Sequence, residues 1–192
     1  MLATVDRATA LELLEDEHRA VRALIGELTA DEMTRPNTIR YGLYSGQECS
    51  FKDLLAHLIT YEAYALEALD AWRQGEKHWI SEAMRSPIRS REVHFDGIDC
   101  RRPMALQTVL DGWQNTQTRL METMGGLSDE EWFRPSPYPD AEATDLGGML
   151  EAILAAPPRP MYRHLPRSKR SNERARRSSP LGVDSRRSSP NR

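Results

Sequence analysis

The stretch Ser50-Phe-Lys-Asp-Leu-Leu-Ala-His57-Leu-Ile-Thr-Tyr-Glu62 decides the fold. Ser50 followed three residues later by Asp53 is a capping-box variant, a hydroxyl and a carboxylate placed to meet backbone N–H groups that a first helical turn leaves without partners. A helix is therefore expected to begin at Ser50. From Phe51 onward Leu54, Leu55, Leu58, Leu66, Leu69 and Trp72 recur at threes and fours, which makes one buried stripe. His57 falls roughly 100° round the helix from the middle of that stripe, at its flank, with Tyr61 and Tyr64 on the same side. Glu62 turns back toward the stripe. Gly75 supplies the stop signal.

Amphipathic helices are expected on either side. The first runs from about Thr4 or Asp6 to Leu28, with Leu11, Leu14, Val21, Leu24, Ile25 and Leu28 on its apolar face. His18 sits on that face between Leu14 and Val21, and a single imidazole there reads as a core-edge histidine with one hydrogen-bond partner. A third helix is read from Pro103 to Met124, with proline in its first turn, and a fourth from Thr144-Asp145 through Leu154. Two short capping boxes, Thr29 with Glu32 and Ser128 with Glu131, follow the first and third helices and suggest two helical hairpins of similar design. The expectation is an all-α four-helix bundle with a long loop between helices 2 and 3, over residues 76–102. A connection of that length is often functional or contains short helices; it holds His78, Trp79, His94 and Phe95, whose histidines read by default as solvated and, in the alternative, form with Trp79 and Phe95 a lid over one bundle end.

The chain has 192 residues, enough for one domain with a core, and too few for two of ordinary size. Residues 1–166 are read as that domain. Residues 167–192 carry nine Lys/Arg against two acids, are almost free of apolar side chains and repeat Arg-Arg-Ser-Ser-Pro, so they read as a disordered basic tail. The remaining seventeen bases and twenty-seven acids leave the domain at −10, a charge that disfavours nucleic acid as its partner. Two cysteines, Cys49 and Cys100, form no zinc-binding pattern and no disulfide framework, which suits a reducing cytoplasm. Cys49 precedes a helix, but no base is spaced to activate it. No apolar run approaches membrane-spanning length.

Phe51-Lys-Asp-Leu-Leu-Ala-His57-Leu, the Leu-Thr/Ser-x-x-Glu turns and a late Tyr162-Arg-His164-Leu-Pro166 together resemble the DinB-like superfamily, in particular its ClbS/DfsB type. The resemblance spans residues 6–166 approximately. It implies a bundle whose metal-binding members hold zinc, nickel or a related divalent ion with one histidine of helix two and two histidines four apart on helix four. Relatives include thiol-dependent transferases and isomerases, and the named branch includes a self-resistance protein that hydrolyses a reactive cyclopropane. Carried over by motif, His57 matches the helix-two ligand and His164 the last helix-four ligand. Pro160 and Ser168 stand four residues either side of His164, so the three-histidine set is incomplete. A catalytic divalent centre ordinarily takes three protein ligands and an open position.

The resemblance thus implies a cytoplasmic bundle, expected as a homodimer, that binds or modifies a small reactive molecule. In its enzymatic form His57 and His164 hold metal or exchange protons, Glu62 orients or deprotonates water and Tyr61 donates to the substrate. The alternative is a non-catalytic dimerisation or ligand-binding module without the metal site. A nucleic-acid role for the basic tail ranks last.

Overall fold

The computed structural model describes residues 5–36, 48–136 and 145–154. Eight helices occur among them: α1 (Arg7–Glu27), α2 (Ala30–Thr34), α3 (Phe51–Arg73), α4 (Ile80–Ala83), α5 (Pro87–Asp99), α6 (Leu106–Gly125), α7 (Asp129–Trp132) and α8 (Leu146–Leu154). An isolated antiparallel bridge joins Pro135 and Asp145. The segment from 155 on, with Pro157, Pro158, Pro160, His164 and the basic tail, lies outside the described residues.

Helix α3 begins as its sequence requires. The Ser50 hydroxyl accepts from the Asp53 N–H at 3.1 Å, and the Asp53 carboxylate accepts from the Ser50 N–H at 2.8 Å. The helix ends before Gly75, which takes a left-handed φ of 78°. Reciprocal caps also start α2 and α7, so both expected short turns form. Asp145 opens α8 by accepting from the Gly148 N–H at 2.8 Å.

The long connection over residues 76–102 contains two helices, α4 and α5. Ser86 caps α5 and Pro87 occupies its first turn, a start signal that a weak apolar stripe obscured. Helix α6 starts at Leu106, three residues after the expected Pro103. The Lys52 ammonium donates to the carbonyls of Arg102 and Met104 and holds residues 101–104 as a turn.

Helix α3 is the axis of the structure and packs against α6, α8 and α5, while α1 packs on α6. Trp132 of α7 is fully buried, and its indole N–H donates to the Val5 carbonyl at 2.9 Å, tying the start of the described chain to the far hairpin. The apolar core forms two clusters. One contains Phe51, Leu55 and Leu58 with Val21, Val109 and Trp113. The other contains Leu66, Leu69 and Trp72 with Leu14, Leu120, Leu150 and Trp132.

Ser50→Ala removes one half of the α3 cap and is expected to lower stability by about 1 kcal/mol. Urea denaturation checks this: the midpoint falls with an unchanged slope, whereas an unchanged midpoint would contradict the cap's contribution.

Candidate functional site

The two apolar clusters change over at one level of the bundle. On α1 the changeover lies between Leu14 and Val21, on α6 between Trp113 and Leu120, and on α3 around residues 57–62. Apart from Ser50 and Asp53 of the α3 cap, the buried polar side chains among the described residues sit at that level: Glu17 and His18 on α1, His57, Thr60 and Glu62 on α3, and Gln117 on α6. His94 of α5 joins them through His57. A polar layer thus crosses an apolar core, where every such group needs a partner to offset its lost hydration.

One half of the layer lies between α3 and α5. The His57 ring meets the His94 ring at a centroid distance of 4.3 Å and the Tyr61 ring, edge on, at 4.7 Å. The Tyr61 hydroxyl donates to the Ser90 carbonyl at 3.3 Å. Beside them the Arg101 guanidinium donates to the Thr60 hydroxyl and to the Gly97 carbonyl, each at 3.0 Å. His57 is 6% exposed and His94 2%, so this seam is closed.

The other half lies between α1, α3 and α6. His18 Nε2 and Glu62 Oε1 share a hydrogen bond of 2.7 Å, with both side chains fully buried. Burial pushes the Glu62 carboxyl above the ordinary carboxylate range, opposed by the hydrogen bond and charge of His18. The Trp113 indole stands edge-on to His18 at 6.0 Å.

Of the residues expected from sequence, His57 and Tyr61 come together, and Glu62 is engaged with His18 on another side of α3. His164 lies outside the described residues. His94, read as a solvated loop residue, is buried against His57, because the loop is a helix that packs on α3. The other loop histidine, His78, is half-buried, with Nε2 3.4 Å from the Glu67 carboxylate. Burial, with the charge of Asp53 adding to it, raises the Cys49 thiol.

Among the described residues no three His, Cys, Asp or Glu side chains are arranged to hold a metal ion. The donors present at the seam, two imidazoles in ring contact, do not make a three-ligand set.

Residues 13–155 match the DinB superfamily. The chain belongs to that superfamily. Its fold is shared by the colibactin self-resistance protein ClbS, solved in complex with double-stranded DNA, at a TM-score of 0.67 and 12% identity over 92% of this chain and 98% of ClbS. An uncharacterised protein from Escherichia coli UTI89 shares it at a TM-score of 0.65 and 12% identity, over 90% of this chain and 91% of that one. No curated protein matches the chain. These structures establish the likeness of fold. Among the described residues no helix is long and apolar enough to cross a membrane.

The Glu62 shift has a definite sign. The folded state keeps the Glu62 proton to a higher pH than the unfolded chain does, so this group's contribution to stability is present below the ordinary carboxylate pKa and lost as pH rises through the folded value. Glu62→Gln removes that dependence. Its stability relative to wild type is expected to rise with pH above about 4.3, with a limiting slope of about 1.4 kcal/mol per pH unit. Urea denaturation across pH measures the difference; parallel curves would show that Glu62 holds no extra proton in the fold.

Proposed function

We propose that this DinB-superfamily protein binds a small reactive molecule at the α3–α5 seam and modifies it by proton transfer, in a detoxification or self-resistance role. The observation that carries the reading is the His57–His94 contact with Tyr61 beside it, three proton-exchanging side chains from two helices in one buried seam. The self-resistance role of ClbS, a protein of the same fold, supports the choice of a reactive substrate.

The chemistry fits ring opening of a strained electrophile by water. One imidazole takes a proton from water as its oxygen bonds to a ring carbon. The carbon–carbon bond breaks, its electron pair moves onto the electron-withdrawing group, and the second imidazole or the Tyr61 hydroxyl returns a proton there. Water is thereby added across the broken bond. The closed seam means that the substrate is admitted when α5 parts from α3.

An activated cyclopropyl ketone serves as the probe, with ring opening followed by mass spectrometry. Wild-type protein accelerates the reaction, and His57→Ala lowers kcat/KM by about 100-fold, within the range for loss of a general acid or base. His78→Ala leaves it unchanged. No acceleration by wild type, with the probe still bound, would favour the non-catalytic ligand-binding alternative. The metal-assisted version, with His57 and His164 as ligands, is tested on the same protein: it requires zinc or nickel that is lost in both His57→Ala and His164→Ala.

A further inference from the structure

We propose that Gly97 is a positioning residue of the α3–α5 site, its bare Cα setting how closely α5 approaches α3 and hence the contact between the His57 and His94 rings. The catalytic consequence rests on the function proposed above; the geometric one does not.

A Cβ at position 97 would lie 2.2 Å from Thr60 Oγ1, 2.7 Å from Thr60 Cγ2 and 2.8 Å from Thr60 Cβ. Atoms that close overlap, so something must move. Thr60 cannot readily turn away. A helical threonine divides between rotamers that bond a preceding carbonyl; here its hydroxyl donates to the Ala56 carbonyl at 2.8 Å and the same oxygen accepts from Arg101 at 3.0 Å, so turning it disturbs both bonds. The Arg101 guanidinium also grips the Gly97 carbonyl, which ties the two helices at this point. The strain therefore falls on the helix–helix distance.

His94 stands three residues before Gly97 on α5, and His57 three residues before Thr60 on α3. Residues three apart lie on one helix face, so the Gly97–Thr60 approach and the His94–His57 contact belong to one interface. Glycine is a poor helix former, yet it stands inside α5 at the position that meets Thr60. Gly112 of α6 offers a control: a Cβ there would lie 3.6 Å from Ile59 Cδ1, an ordinary contact.

The test uses the full chain with histidine rings isotopically labelled for NMR. In Gly97→Ala the ring signals of His57 and His94 move toward those of isolated imidazoles, while His18 keeps its signal. Gly112→Ala retains the wild-type spectrum. The exchange Thr60→Gly with Gly97→Ala, which moves the bulk to the other helix, restores the ring signals. With the cyclopropyl ketone, Gly97→Ala loses about 100-fold in kcat, as expected for a displacement of about 1 Å, and adds no further loss in a His94→Ala background. Unchanged ring signals in Gly97→Ala overturn the proposal, as does an exchange variant that fails to recover them. If Gly97→Ala does not fold, the exchange variant decides by the same criterion. Absent turnover in wild type with the ring signals behaving as described removes the proposed function and leaves the positioning role standing.

Discussion

Helix α3 is enclosed by its neighbours for most of its length, so the polar side chains buried in its middle are matched largely by groups on other elements. A buried donor or acceptor left without one costs about 1–3 kcal/mol, comparable to a sizeable part of a domain's net stability. That constraint explains why the polar residues of α3 are matched from several directions. Glu62 meets His18 of α1, Thr60 meets Arg101 beyond α5, and Tyr61 reaches a carbonyl of α5. Partnering of α3 fixes where α1 and α5 must lie.

The two halves of the polar layer differ in character. His18 and Glu62 form a closed pair inside the main bundle, and the raised Glu62 carboxyl makes that pair a place where folding and protonation are linked. The His57–His94–Tyr61 seam lies instead under a short helix joined to α3 through side-chain contacts and the Arg101 grip. The buried apolar side chains of α5 are Val93 and Ile98, and elements with few buried apolar contacts open most readily. This division favours the seam for chemistry and the pair for holding the bundle together.

Much of the fold was legible because its signals are local. The Ser50–Asp53, Thr29–Glu32 and Ser128–Glu131 caps each act over three residues, and all form. His57 and Tyr61 share a face by helical spacing, and they meet. The partner of Glu62 is 44 residues away, and no local pattern names it. Helix α5 was hard to read because His94 and Gly97 share its inward face with Val93 and Ile98, which leaves a thin apolar stripe beside the Ser86-Pro87 start signal. Pro103 pointed to a helix start but sits in the turn held by Lys52.

Histidine C2–H exchange, measured residue by residue on the full chain, tests the location of the site most directly. The ring-opened cyclopropyl ketone, added as a product, is expected to slow exchange at His57 and His94 and to leave His78 unaffected. Product binding that alters none of the rates at His57 and His94 would contradict the placement of the site at the α3–α5 seam.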